Sequence, residues 1–239
     1  FGSLYSGDDI WIGTNGVVSF GAGYEGIPSS TGMDPGLDIL APFWADVDTR
    51  EVGEGSESGP IWGDMQGGTL TVTWQDVGRY RHDNDPTNLF QVQITDRGGG
   101  DFDLRFAYER IDWTHSTQEE EHGARMILSS PRLPEPWIET GDPMTLDTRT
   151  GNTGAEGSWL FQMRDGALPG LTPVTGLAET GGSGADTLSG GAAEDILRGG
   201  DGPDVLRGFA QNDWLFGGDG ADTLNAASGD DHVTGGATA

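Results

Sequence analysis

The chain has 239 residues, of which 12 are basic, all Arg, and 39 are acidic, giving a formal charge of −27 at neutral pH, with 42 Gly and no Cys. That charge argues against nucleic acid or an anionic membrane surface as partner and suits divalent cations. No run is apolar enough to insert in and span a bilayer, and without Cys there is neither a disulfide framework nor a thiol nucleophile. The length suits one medium domain plus a smaller one. The chain starts at Phe1 rather than Met and stops at Ala239, just after a seventh repeat of its C-terminal unit opens with Gly235-Gly236, so it is expected to be a piece of a longer protein.

Residues 1–165 read as all-β. Residues 9–13 form a short strand, Thr14-Asn15-Gly16 a turn, and Val17-Val18-Ser19-Phe20 a second strand. Asn-Gly between apolar runs is the strongest short hairpin signal. Residues 21–38 and 49–59 are Gly-rich loops around the apolar run 39–44. Alternation then becomes regular. Leu70, Val72 and Trp74 oppose Thr69, Thr71, Thr73 and Gln75; Phe90, Val92 and Ile94 oppose Gln91, Gln93 and Thr95; Phe102, Leu104, Phe106 and Tyr108 oppose Asp103, Arg105 and Ala107. Period two with one wet and one dry face is the pattern of antiparallel sheets packed on one side. Further strands are expected at 124–129 and 158–163, no helix is expected, and Glu119-Glu120-Glu121 belongs to a solvated loop. Pro169, Pro173 and several Gly mark 166–180 as a linker.

Several of these blocks, taken in order, resemble a known family. Trp11-Ile12-Gly13-Thr14-Asn15-Gly16-Val17-Val18-Ser19-Phe20-Gly21 resembles the opening of the nidogen-like (NIDO) extracellular domain. Ile39-Leu40-Ala41-Pro42-Phe43-Trp44-Ala45-Asp46-Val47-Asp48-Thr49 resembles its second block, and 71–78, 88–95 and 102–113 its later ones. The resemblance spans residues 1–165. It implies an antiparallel, sandwich-like β domain that acts as an extracellular binding or adhesion module, with no catalytic residues.

Catalytic patterns are missing. The four histidines, His82, His115, His122 and His232, offer no His-Glu-x-x-His, and Gly-x-Ser-x-Gly is absent. Abundant carboxylates leave a glycosidase pair open by counting alone, but solvated acidic loops explain them better. Asp46 and Asp48 project to one face and, with the loop His82-Asp83-Asn84-Asp85, make a secondary candidate for calcium. Of the eight Trp, Trp11, Trp44, Trp74 and Trp113 sit in strand patterns and are expected in the core; Trp137, beside Pro134-Glu135-Pro136, is the candidate for an exposed aromatic, though local packing is the favoured reading.

From Gly181 to Thr234 the chain repeats a nine-residue unit six times without slippage: GGSGADTLS, GGAAEDILR, GGDGPDVLR, GFAQNDWLF, GGDGADTLN, AASGDDHVT. Position six is always aspartate (Asp186, Asp195, Asp204, Asp213, Asp222, Asp231), and position eight is always aliphatic (Leu188, Leu197, Leu206, Leu215, Leu224, Val233). Glycines permit tight turns; the aliphatic residue of each very short strand points inward. A disordered Gly/Asp tail would have no reason to place an aliphatic residue every nine positions. One such side chain per nine residues does not offset the backbone entropy of ordering them, and eleven acidic residues from 177 onward face only Arg198 and Arg207. Carboxylates and bare carbonyls on tight turns suit Ca²⁺, which takes oxygen ligands, so binding and folding are expected to be one event.

The unit resembles the RTX (haemolysin-type) calcium-binding nonapeptide. That resemblance implies a parallel β-roll over 181–239, two nonapeptides per turn, with each ion between repeats i and i+2 on one edge. The odd repeats are intact, and Asp201 and Asp219 add carboxylates at position three. In the even repeats Ala193 and Gln211 replace the position-four glycine, Phe209 a position-two glycine, and Ala226-Ala227 the leading pair. Good sites are therefore expected at Asp186, Asp204 and Asp222, and weak ones at Asp195, Asp213 and Asp231.

The expected whole is all-β: a NIDO-like domain (1–165), a linker (166–180) and a roll (181–239). The expected function is that of a non-enzymatic part of a secreted bacterial RTX-type adhesion protein, exported by type I secretion or held at the cell surface. It would bind an extracellular-matrix or cell-surface protein or glycan. Two other readings stay open: the non-catalytic part of a secreted protease or lipase, and a surface-layer protein.

Overall fold

The hairpin at Asn15-Gly16 forms as its sequence demands. In the computed structural model, which describes residues 9–28, 36–49, 58–80, 83–115, 123–133, 136–139, 141–164 and 176–236, β1 (Ile10–Gly13) pairs antiparallel with β2 (Val17–Phe20). Gly16 takes φ +73°, and a Cβ there would lie 1.9 Å from the Phe43 carbonyl oxygen, so only glycine fits. The Asn15 amide donates to the Glu25 and Gly26 carbonyls, both at 3.3 Å, and its Oδ1 accepts from the Val47 N–H at 3.2 Å. One side chain thus fixes two following loops.

The chain divides into two compact units. The first is a two-sheet β domain. One sheet runs β1-β2-β3-β9-β10, with β3 at Asp38–Trp44, β9 at Arg125–Ser129 and β10 at Trp137–Ile138. The other runs β11-β8-β7-β6-β4, with β4 at Val47–Asp48, β6 at Thr69–Arg79, β7 at Asp83–Gly98, β8 at Asp101–Arg110 and β11 at Ser158–Met163. β5 (Ile61–Gln66) also pairs with β6. All these pairings are antiparallel. The dry faces meet as the alternation requires. Phe43 of β3 lies 5.1 Å from Phe90 of β7 and 5.6 Å from Trp113 between ring centroids, and Trp74 stacks on Phe90 at 5.1 Å. The Tyr108 hydroxyl of β8 donates to the Pro42 carbonyl at 2.5 Å, tying the second sheet to the first. Thr71 faces Gln93 and Thr73 faces Gln91 on the wet side.

Several expectations need correction. Trp44, Trp74 and Trp113 are buried, but Trp11 is 51% exposed. It sits on edge strand β1, which has a neighbour on one side only. Trp137 is half-buried against Phe161, 5.0 Å away, in keeping with local packing. Strand β5 lacks clean alternation, yet the Gly67-Gly68 turn, at φ +58° and +78°, folds it onto β6. No α-helix occurs among the described residues; a 3-10 turn at Pro143–Thr145 is capped by Asp142, which accepts from the Met144 N–H. Residues 119–121 lie outside the described residues.

The second unit is a parallel roll. One sheet is β12-β14-β16-β18: Ala178–Thr180, Ile196–Asp201, Trp214–Asp219 and His232–Thr234. The other is β13-β15-β17: Thr187–Ser189, Val205–Ala210 and Thr223–Ser228. Partners lie eighteen residues apart, as in Leu197 with Leu215 and Leu206 with Leu224, so two nonapeptides make one turn. Leu197, Leu206 and Leu215 are fully buried between the sheets, flanked by Leu188, Leu224 and Ala226; Val233, in the last strand, is 49% exposed. The roll begins earlier than the repeat. The end of the expected linker supplies β12, which pairs with β14, and Gly176 N–H donates to the Glu194 carbonyl at 2.8 Å. Residues 130–133 also group with the roll: the Arg198 guanidinium donates to the Pro131 and Leu133 carbonyls at 3.3 and 2.8 Å.

Candidate metal centre

Strands β14 to β17 run from position seven of one nonapeptide to position three of the next, so positions four to six turn between the sheets. Odd repeats turn on one edge of the roll and even repeats on the other. The position-six aspartates therefore form two columns: Asp186, Asp204 and Asp222; and Asp195, Asp213 and Asp231.

Within each column every carboxylate except that of Asp186 reaches back one full turn. Asp186 N–H donates to Asp204 Oδ1 at 2.8 Å, and Asp204 N–H to Asp222 Oδ1 at 2.9 Å. Asp195 N–H donates to Asp213 Oδ1 and Asp213 N–H to Asp231 Oδ1, both at 2.9 Å. Leu177 N–H starts the second column on Asp195 Oδ1 at 2.5 Å. The second oxygens differ. Asp186 Oδ2 accepts from Gly182 N–H at 2.7 Å, and Asp195 Oδ2 from Gly191 N–H at 2.6 Å. Asp204, Asp213 and Asp222 each bury Oδ2 with no hydrogen-bond partner. An anionic oxygen removed from water and left bare is strongly unfavourable, and a hard cation is the group that completes it.

The charge balance agrees. Burial pushes the Asp213 carboxyl above the ordinary carboxylate range. The Asp195 backbone N–H pulls it down, and the charges of Asp195, Asp231 and Glu194 raise it further. Asp201 and Asp219 stand in register on β14 and β16, exposed, so like charges stack about 4.8 Å apart. Among the described residues no three acidic or His side chains cluster closely enough to hold a metal by themselves. The rest of a Ca²⁺ shell must come from backbone carbonyls, which the turns supply: a Cβ on Gly200 would lie 2.4 Å from the Gly182 carbonyl oxygen, and one on Gly218 2.1 Å from that of Gly200. The residues present fit calcium.

The secondary candidate gains no such support. Asp46 and Asp48 are buried and already engaged, and the side chains of 82–85 lie outside the described residues. His232 takes no part in the carboxylate columns; it stacks on Trp214 at 4.5 Å. That contact belongs to a row the sequence reading overlooked: Trp214, Phe216 and His232 share one sheet, and the Arg198 guanidinium lies 5.3 Å above Phe216. Its signal was present at positions seven and nine of the even repeats. Also overlooked were Asn212, whose Oδ1 accepts from Asp230 N–H at 2.9 Å, and Ser228, whose hydroxyl donates to the Phe209 carbonyl at 3.1 Å.

Comparison with known proteins assigns both units. The nidogen-like domain family model matches residues 66–165, and the RTX calcium-binding nonapeptide repeat (4 copies) matches 180–206 and 207–238. The nidogen-like match begins at the end of β5, later than the blocks read from Trp11 onward. Alpha-tectorin of Mus musculus and that of Homo sapiens are each 30% identical over 129 residues, covering 45% of this chain. The chain spans only 6% of the length of these relatives. No solved structure matches. The combination points to an extracellular calcium-binding protein. The chain carries a nidogen-like domain followed by RTX calcium-binding nonapeptide repeats.

Proposed function

We propose that this chain is the non-enzymatic part of a secreted bacterial adhesion protein, in which the β domain binds a matrix or cell-surface protein or glycan and calcium folds the roll. The observation that carries the calcium half is the buried, bare Oδ2 of Asp204, Asp213 and Asp222 in a unit whose fully buried apolar side chains, among the described residues, are Ile196, Leu197, Leu206 and Leu215. Asp186, Asp195, Asp201, Asp204, Asp213, Asp219, Asp222 and Asp231 are the side chains offered to the metal. Outside the cell calcium reaches about millimolar, the range in which extracellular modules bind it. A roll that stays unfolded until it meets calcium also suits export as an open chain, as in type I secretion.

The reading is tested in two steps. A chain stripped of metal should gain β-structure by far-ultraviolet circular dichroism when calcium is added, and much less with equal magnesium; no gain with calcium overturns the calcium reading. The chain is then used to probe arrays of extracellular-matrix proteins and glycans. Saturable binding is expected, with no turnover of protein, ester or glycan substrates. Turnover abolished by one acidic substitution overturns the non-enzymatic assignment, and silence across the array overturns the adhesive one.

A further inference from the structure

We propose that the two edges of the roll are of different kinds. The edge built by the turns 181–186, 199–204 and 217–222 holds two calcium ions tightly, and the edge built by 190–195, 208–213 and 226–231, whose last two turns are joined by side-chain hydrogen bonds, takes calcium weakly. The assignment rests on the calcium reading above.

Three observations carry it. The first is backbone shape. Among the described residues four non-glycine residues have positive φ, and three are Phe209 (+83°), Gln211 (+69°) and Ala227 (+73°), all in even-edge turns. A side chain disfavours that region. Residues 200, 202, 218 and 220 on the odd edge, also at positive φ, are glycine. Ala193 and Ala226 show no positive φ, so their replacement of glycine is not itself the strain.

The second is carbonyl placement. On the odd edge the space a Cβ would fill at Gly200 and Gly218 is held by the carbonyl oxygen one coil back, 2.4 and 2.1 Å away. On the even edge the equivalent residues, Phe209 and Ala227, carry real Cβ atoms. A carbonyl cannot stand so close to them, so the even turns do not present this oxygen in the same place.

The third is what fills each edge. At position three the odd edge stacks Asp201 on Asp219, while the even edge pairs Ala210 with Ser228. The Phe209 carbonyl accepts from the Ser228 hydroxyl, and Asn212 Oδ1 takes the Asp230 N–H. These side-chain bonds join the turns 208–213 and 226–231 without metal, whereas the odd turns are joined through backbone groups alone at the corresponding positions, as in Gly184 N–H to the Asp201 carbonyl. Asp213 keeps a bare, buried Oδ2, which leaves the even edge a weak site rather than none.

The test is calorimetric titration of the metal-stripped full chain with calcium. Two tight and two weak ions are expected. Asp204 lies in the turn shared by both odd-edge gaps, so Asp204→Ala should abolish the tight class, whereas Asp213→Ala should remove only the weak one. Loss of the whole roll in Asp204→Ala would blur that contrast, and gain-of-function variants avoid the difficulty. Phe209→Gly with Gln211→Gly removes two strained side chains, and Ala210→Asp restores a position-three carboxylate. Together they should tighten the weak class about tenfold or more and leave the tight class in place. Four equal sites, equal losses from the two alanine variants, or no tightening in the glycine variant would each overturn the assignment. A chain that takes up no calcium would overturn the calcium reading itself, a distinguishable result.

Discussion

The β domain and the roll are both built from short strands, yet they are stabilised by different physics. The β domain fully buries Phe43, Trp44, Trp74, Phe90 and Phe106, and each large aromatic removed from water contributes about 1.5–3 kcal/mol or more. The roll fully buries a position-eight leucine in only three of its six nonapeptides and aligns its carboxylates in columns, where each ion-free turn adds like-charge repulsion. A sheet sandwich brings distant residues into a shared interior; a two-sheet roll is too thin for that, and each coil meets only the coil before and after. On the proposed reading the roll replaces core with cation. The same alternation of inward and outward side chains then yields one unit with a large apolar core and one that waits for a ligand.

Chelation should break the comparison most widely. In excess chelator, hydrogen exchange read by mass spectrometry should show full loss of protection over 187–234 and retained protection over 69–108. Loss over both stretches would mean that the β domain also depends on metal. Next in size are core truncations. Phe90→Ala, which empties the stack with Trp74 and Phe43, should destabilise the β domain by about 4 kcal/mol and leave the calcium midpoint of the roll unchanged. Leu206→Ala should do the opposite, weakening the roll by about 3 kcal/mol, seen as a higher calcium requirement with the β-domain melting unaltered. Thermal melts and calcium titrations of both variants decide it.

The smallest effect concerns a charge cluster confined to the β domain. The Asp103 carboxyl is held below the ordinary carboxylate range by the Arg164 hydrogen bond, against desolvation, with Arg97 adding a second hydrogen bond and both charges contributing. A depressed folded-state value means the contribution is complete above the unfolded value of about 3.9 and fades as pH falls through the folded one. Asp103→Asn should lower β-domain stability by about 1 kcal/mol at neutral pH, since both arginines are partly exposed, and the gap to wild type should close in strong acid. A gap that persists there would show that packing, not charge, is lost.

The sequence alone determined what depends on spacing. A nine-residue period with aspartate at six and an aliphatic residue at eight was enough to predict tight acidic turns and very short strands with inward leucines, and the resemblance to the RTX nonapeptide implied the roll and its columns of carboxylates. Alternation likewise placed β6, β7 and β8, since period two sorts side chains by face without reference to the partner strand. Tertiary structure decided what depends on neighbours far along the chain. It exposed Trp11, because β1 ended up at a sheet edge, and it made β5 a strand by folding it onto β6. It drew the last residues of the expected linker into the roll through β12. In the even turns the sequence marked missing glycines, but only the fold revealed which substitutions sit at left-handed backbone: Phe209, Gln211 and Ala227 do, and Ala193 and Ala226 do not. Local pattern prescribes which face a residue takes; whether that face meets protein, water or a carbonyl one coil away is settled when the coils stack.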